Sequence, residues 1–205
     1  MKLNTARMTV RILAATAFAV SLAGGSAIAQ QTARVAGKIE RVEGSTLVVK
    51  GRDGSEMKVN LTPKARVFGV VKATLADVRA GAFVGVGAMP QSDGSQRAVQ
   101  VMIFTESLRG TGEGHRPWTR PGSTMTNATV DTIVASVDGQ VLMVKYKDGE
   151  KKVVVPSDAV IRRYIDGTRE ELRAGADIAI NNAVKKDDGT FEASRINVGR
   201  EGIVP

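Results

Sequence analysis

The chain contains no cysteine, one histidine, one tryptophan and few aromatic residues of any kind (4% of 205 residues). The absence of cysteine excludes disulfides as a source of stability and removes thiol nucleophiles and thiolate metal ligands. With His115 as the single histidine, most nucleophile–base pairs are excluded as well. The carboxylate pairs Glu170-Glu171 and Asp187-Asp188 fit a helix start and a turn. The sequence therefore predicts a protein that is not an enzyme and needs no cofactor.

Long apolar runs are also absent, except at the start of the chain. There, three bases precede an apolar segment at 12–25, and residues 27–29 spell the Ala-x-Ala pattern of a cleavage site. We predict that residues 1–29 are a signal peptide, that the mature chain begins at Gln30, and that it is periplasmic or secreted. Since no later run is apolar enough to span a bilayer, the sequence predicts that the protein is not an integral membrane protein.

Two halves of the remaining chain resemble each other. Three blocks match in the same order at an offset of 94 or 95 residues: 46–61 with 140–155, 74–88 with 168–182, and 92–103 with 187–198. Such matches indicate an internal duplication. We predict that residues 33–104 and residues 125–205 each form one domain, joined by a Gly/Pro-rich connector at 105–124.

Strand and turn signals recur in both halves. Asp-Gly pairs at Gly54 and Gly149 stand before the third predicted strand of each copy, which is a strong hairpin signal. Pro63 and Pro156 are expected to end those strands, because proline cannot donate to a ladder. Two further strands close each copy, so that each has five.

A helix start follows the third strand in both copies. Thr74 and Thr168 are each followed, three residues later, by a carboxylate, which is the capping-box pattern. Gly81 and Gly175 are placed to end helices near 74–80 and 168–174 in the left-handed conformation. The fold class predicted is all-β with short helices: two tandem OB-like five-stranded barrels, each with one short helix between strands 3 and 4.

The turns, helix ends and final strands of both copies, with the junction GEGHRPW…PGSTMTNATV at 112–130, resemble a family of exported bacterial OB-like β-barrels described as a domain of unknown function. The chain looks like a tandem two-copy member. The resemblance supports the fold, since its motifs are mostly turns and caps. Relatives often carry a label as metal ABC transporter permeases. That label conflicts with the sequence, because a permease needs several membrane-spanning helices.

The uncommon residues of the connector allow two interpretations. In the first, Trp118 packs into the junction between the two barrels and has a structural role, with His115 hydrogen-bonded or solvated beside it. In the second, His115, Trp118 and Met125 form a copper-type metal site, because imidazole and thioether groups suit Cu(I) and an indole face can shield a cation. We favour the structural interpretation, because an isolated histidine and scattered methionines usually indicate packing.

Charge is distributed unevenly between the halves. Residues 33–104 contain 11 bases and 6 acids, whereas residues 125–205 contain 12 bases and 13 acids. We therefore predict an exported, non-catalytic binding or structural module of unknown ligand, with metal handling as the alternative. The expected partner is an envelope protein, an anionic glycan or a lipid headgroup on the basic first copy. Nucleic acid is not expected, since the chain is exported.

Overall fold

The computed structural model describes residues 31–137 and 139–205, so the predicted signal peptide at 1–29 lies outside the described residues. This part of the chain is mostly β-strand, which confirms the predicted β-rich class. The strands are β1 (Thr32–Glu43), β2 (Thr46–Gly51), β3 (Glu56–Lys72), β4 (Phe83–Pro90), β5 (Gln96–Ile103), β6 (Gly114–Pro117), β7 (Thr124–Ser136), β8 (Gly139–Tyr146), β9 (Gly149–Pro156), β10 (Val160–Asp166), β11 (Asp177–Lys185) and β12 (Phe191–Gly199). Three one-turn 3-10 helices are Leu75–Asp77, Glu106–Leu108 and Arg169–Glu171.

Five strands close into a barrel, which we call ring A. β1 pairs antiparallel with β2 and β11, β2 pairs with β3, and β11 pairs with β12. β12 closes the ring by pairing parallel with β3. The interior is filled by branched aliphatic side chains, of which Val35, Leu47 and Ile196 have no exposed surface. Burying each such side chain stabilises the fold by about 1.5–3 kcal/mol relative to leaving it in water.

The pairings of five other strands also form a closed cycle, which we call ring B. β4 pairs antiparallel with β5 and β7, and β8 pairs antiparallel with β7 and β9. A short parallel contact, Gln96 opposite Val153 and Arg97 opposite Val154, joins β5 to β9. Its core includes Val84, Leu142 and Val144, all fully buried.

Each ring combines strands from both halves of the sequence. Ring A takes β1, β2 and β3 from the first repeat and β11 and β12 from the second. Ring B takes β4 and β5 from the first repeat and β7, β8 and β9 from the second. These pairings correct the predicted domains: neither 33–104 nor 125–205 forms a barrel by itself, because the last two strands of each repeat pair with the other repeat.

The exchange follows from the length of β3. The strand runs for 17 residues, about 56 Å at 3.3 Å per residue, and it continues through Pro63, so the predicted end of the strand at this proline is wrong. Proline is tolerated there because the pairing of β3 with β12 is interrupted between Leu61 and Arg66, so no ladder donor is needed. The end of β3 pairs antiparallel with β10, and these two strands carry the chain from one ring to the other.

The predicted helices near 74–80 and 168–174 are shorter than expected. Each is a single 3-10 turn with the predicted capping box, in which Thr74 and Thr168 donate their backbone N–H groups at 2.8 Å to the carboxylate three residues later. Beyond each turn, Gly81 (φ 82°) and Gly175 (φ 87°) are left-handed. Their N–H groups donate to strands of the other repeat rather than to a helix.

The turn at Asp53-Gly54 has the geometry that the sequence predicts. Gly54 has a φ of 83°, and Asp53 accepts hydrogen bonds from the backbone and hydroxyl of Ser55 at 3.0 and 2.6 Å. In the second copy the turn lies one residue earlier than predicted, because Gly149 begins β9 and pairs with Tyr146. The predicted connector at 105–124 is structured: it contains the 3-10 helix Glu106–Leu108 and β6, which pairs with β7.

Candidate functional site

A cleft of about 590 Å³ lies where the two rings meet. We call it the central cleft. Ring A lines it through β1, β11 and β12, ring B through β4, β5 and β7, and the connector and β10 complete it. Its charged side chains are Arg34, Arg116, Arg162 and Arg195, and among the described residues that line it none is Asp or Glu. The volume is in the range of sites for small organic ligands.

A bulge in β11 supplies the amide groups on the ring A side. Ala33 pairs with Ala183 and Val35 with Ile180, so that one residue of β1 opposes two of β11. The extra residue disrupts the ladder and redirects side chains. The residues at this irregularity are Arg34, Asn181 and Asn182, and all three line the cleft. Arg34 also donates to the backbone oxygen of Pro205 at 3.3 Å.

Arg195 is held in place by aromatic rings. Its guanidinium carbon lies 5.2 Å from the ring centroid of Phe68 and 4.8 Å from that of Tyr164, and its Nε donates to Asn197 Oδ1 at 3.3 Å. Burial lowers the pKa of Arg195, and burial raises the pKa of Tyr164. Arginine nevertheless stays charged in proteins. The cleft therefore contains a fixed, half-buried positive charge next to a phenol that is protonated at neutral pH.

Asn127 brings an unpartnered acceptor to the cleft. The residue is 6% exposed and lines the cleft from β7. Its Nδ2 donates to Thr111 O at 2.9 Å, but its buried Oδ1 has no hydrogen-bond donor within the described structure. A Cβ built on Gly85 would lie 2.9 Å from that oxygen, so the glycine leaves room beside it. An unsatisfied buried acceptor costs about 1–3 kcal/mol, so a hydrogen-bond donor on a ligand would be stabilising at this position.

Apolar side chains line the ring B side. Trp118, Met102, Phe104 and Met125 all border the cleft. Phe104 contacts the ring of Tyr164 edge-on, with centroids 5.3 Å apart. Trp118 is partly buried. Ring A and β10 thus contribute three of the four arginines and the amides of the β11 bulge, whereas the ring B side is mainly apolar and aromatic, with Arg116 and Asn127 as polar groups.

The three candidate metal ligands of the connector are not brought to one face. On the paired strands β6 and β7, His115 lies opposite Thr126, and Arg116 lies opposite Met125. Because successive residues of a strand point to opposite faces, His115 and Met125 face opposite ways. His115 Nδ1 contacts the Thr126 hydroxyl at 2.8 Å, and burial lowers the pKa of this histidine. Among the described residues, no group of three or more His, Cys, Asp or Glu side chains is arranged for a metal ion.

The remaining predicted residues lie outside the cleft. Thr74 and Thr168 begin 3-10 helices, and Gly54 lies in a hairpin turn. The N–H of Gly81 donates to Val130 O of β7 at 2.7 Å. The N–H of Gly175 donates in the same way to Ile39 O of β1 at 2.8 Å, and Gly149 starts β9.

Sequence reasoning did not find the four arginines or Asn127. For Arg195 alone among these, a usable signal was present in the repeat itself, at positions where the two copies differ in polarity or charge. The matched pairs are Gly87 with Asn181, Val99 with Ser194, Gln100 with Arg195, and Met102 with Asn197. In each pair the second copy has the more polar residue, and all four of those residues line the cleft.

None of the helices in the described part of the chain has both the length and the apolar composition that a bilayer crossing requires. No family model matches the chain, and neither the curated proteins nor the solved structures give a significant match.

Proposed function

We propose that the chain is an exported, non-catalytic binding protein and that its central cleft holds an anionic ligand. The observation that carries the proposal is the convergence of Arg34, Arg116, Arg162 and Arg195 on one cleft whose described lining contains no Asp or Glu. Guanidinium groups bind carboxylate and phosphate through paired hydrogen bonds. An anion would therefore find several donors and no Asp or Glu side chain in the described lining.

Three of the cleft arginines have no ion pair in the described chain, a property they share with arginines elsewhere, such as Arg79 and Arg173. Arg163, Arg109 and Arg200 each lie within 4.0 Å of a carboxylate. In the described chain, none of Arg116, Arg162 and Arg195 has such a partner. Arg116 is exposed, whereas Arg162 and Arg195 are half-buried. A half-buried charge without a counterion is unfavourable, and a bound anion would supply the missing partner of Arg162 and Arg195. This supports binding at the cleft over binding at the exposed surface of the first repeat.

The chemistry of the cleft supports a non-catalytic role. Its polar groups are guanidinium, amide and hydroxyl, and its phenol, Tyr164, has a raised pKa. None of these is a ready general base or nucleophile near neutral pH. His115 belongs to the face of β6 opposite to Arg116, which lines the cleft. The proposed role is therefore recognition of a ligand.

The proposed architecture is a pair of OB-like barrels with exchanged strands. Around ring A the neighbouring strands are β1-β2-β3-β12-β11, and around ring B they are β7-β8-β9-β5-β4. If the strands of each ring are numbered as in one repeat, both orders are 1-2-3-5-4, with a parallel pairing between the third and fifth strands. This is the order of an OB-type barrel. The resemblance to exported bacterial barrels and the predicted signal peptide at 1–29 support an envelope location. The anionic partner would then be a glycan, a lipid headgroup or a small organic acid of the envelope.

Two adjacent arginines provide a matched test. Arg162 lines the cleft, whereas Arg163 lies on the other face of β10 beside Asp77, at 3.7 Å. Binding of inorganic phosphate, citrate and octanoate is measured by calorimetry at constant ionic strength. We expect Arg162→Gln to lower the affinity for the anion about tenfold, because the substitution removes a charge-assisted hydrogen bond. Arg163→Gln, with the same charge change, should have little effect. Equal losses in the two variants, or no binding of any of the three anions, would contradict the proposal.

A further inference from the structure

We propose that the ligand is an amphiphilic organic anion, with one acidic head group and an apolar body of several carbon atoms. The inference rests on the proposed function, since it assigns the class of anion that the central cleft binds. It is carried by the two unlike sides of the cleft, one that contributes most of the arginine and asparagine side chains and the other that contributes the aromatic and thioether side chains beside Arg116 and Asn127.

The head group belongs on the ring A side. The guanidinium of Arg195 is fixed by Phe68 and Tyr164. With Asn197 and Tyr164 as its partners, the remaining N–H groups of the guanidinium are left for a ligand. Asn181 and Asn182, at the β11 bulge, add amide donors on the same side. Because the guanidinium is already ordered, an acidic group bound there would lose little further side-chain freedom.

The body belongs on the ring B side. The indole of Trp118 lies over Gly87 and remains only partly buried, and Met102 and Phe104 extend the apolar surface. Aromatic surface left in water is a source of binding free energy when a ligand covers it. Inorganic phosphate would use the arginines and leave this surface bare. An anion with a hydrocarbon or aromatic part would cover both sides.

Asn127 also supports the proposal that the cleft is a preformed binding site. Its orphaned Oδ1 lies beside Gly85, next to the ring of Phe104, which a Cβ on that glycine would approach to 3.0 Å. A buried polar atom without a partner is uncommon in folded proteins. Here it stands beside the apolar side of the cleft, where a hydroxyl or amide on the ligand body would satisfy it.

The test uses three probes that separate head group from body: octanoate, acetate and octyl glucoside, all below micelle-forming concentrations and at constant ionic strength. Trp118 is the only tryptophan and borders the cleft, so its fluorescence reports binding directly. Each methylene that leaves water contributes about a fourfold gain in affinity. We expect octanoate to bind at least tenfold more tightly than either acetate or octyl glucoside.

The outcomes distinguish the inference from the function on which it rests. Equal affinity for octanoate and acetate would overturn the amphiphilic ligand and leave anion binding intact. Octyl glucoside binding as tightly as octanoate would show that the charge is not recognised, which contradicts both proposals. Both proposals would also be contradicted if neither octanoate nor acetate bound.

A substitution of Trp118 tests whether the body of the ligand lies against the indole. By calorimetry, Trp118→Ser is expected to lower the affinity for octanoate about tenfold and to leave that for acetate unchanged. An equal loss for both probes would contradict the placement of the body against Trp118. Should the variant fail to melt cooperatively, the comparison of the three probes on the unaltered protein still decides the question.

Discussion

The indole of Trp118 lies directly over Gly87 of β4, so close that a Cβ built on the glycine would be 2.5 Å from Cζ3 of the ring. The indole therefore packs against this glycine on the wall of the cleft. Its counterpart in the second repeat is Asn181, whose side chain lines the same cleft. One pair of matched positions thus contributes opposite chemistry to the two sides of the site.

Gly87→Ala should displace the indole and change the emission of Trp118. Because the ring is only partly buried and can move, we expect a loss of about 1 kcal/mol in the free energy of unfolding, at the low end for overpacking. The measurement is urea unfolding in a double-mutant cycle with Trp118→Leu. If the cost arises from the indole, Gly87→Ala should be nearly neutral in the Leu background. The same cost in both backgrounds would place the strain elsewhere.

Asn127 and Asn197 should respond differently to truncation. Asn127→Ala removes one hydrogen bond and also one unsatisfied oxygen, so the free energy of unfolding should change by less than about 1 kcal/mol. Asn197→Ala removes the acceptor of half-buried Arg195 and should cost about 2 kcal/mol, because it leaves a charged donor unpaired. Thermal or urea unfolding measures both. A larger loss for Asn127 would show that its oxygen has a partner in the folded protein.

The pair Glu171–Arg200 should contribute to the acid sensitivity of the fold. Arg200 donates to both carboxylate oxygens at 2.9 and 2.8 Å, and these bonds hold the pKa of Glu171 below its ordinary value of 4.5. A lowered pKa means that the stabilisation is complete above pH 4.5 and is lost as the pH falls through the folded-state pKa.

Arg200→Gln should therefore lower the free energy of unfolding by about 1 kcal/mol at pH 7, allowing for solvent screening, and should weaken the dependence of that free energy on pH below 4.5. Urea unfolding between pH 3 and 7 measures both effects. Lys186→Gln is the control, because its pair with Glu192 is exposed and should matter little. An unchanged acid dependence in Arg200→Gln would contradict this assignment.

The exchange of strands can be tested by cross-linking, since the chain has no cysteine of its own. Lys38 of β1 lies opposite Asp177 of β11, and their side chains form an ion pair at 2.9 Å. Directly opposed residues are within reach of a disulfide. We expect Lys38→Cys with Asp177→Cys to form an intramolecular disulfide on mild oxidation. Barrels made of consecutive strands would instead link Lys38→Cys with Phe83→Cys, the counterpart position in the first repeat.

Much of the local structure could be predicted from the sequence, because its signals are local. Gly54 follows Asp53 in a turn that needs positive φ, and Thr74 and Thr168 each stand three residues before a carboxylate, so backbone chemistry fixes these features. The exchange could not be predicted in this way. The two repeats are alike, so β4 and β5 suit either set of partners, and the choice depends on whether the chain bends or continues straight after Leu61.

The cleft was missed for a related reason. Arg162 and Arg195 are charged residues in strands, and in an isolated barrel such side chains would be ordinary solvent-exposed charges. Only the exchange of strands brings both of them, with Trp118, to one place. Composition also pointed to the first repeat as the basic one, whereas two of the four cleft arginines lie in the second, at β10 and β12.

Binding of an anion at the central cleft can be followed at single side chains by NMR of the arginine Nε–Hε and tryptophan indole groups during titration with octanoate. We predict that the largest shifts fall on Arg162, Arg195 and the indole of Trp118, and that they saturate together. Arg163, one residue away on the opposite face of β10, should shift little. Shifts that are largest at Arg41 on the exposed β1–β2 hairpin, or spread evenly over all arginines, would contradict binding at the cleft.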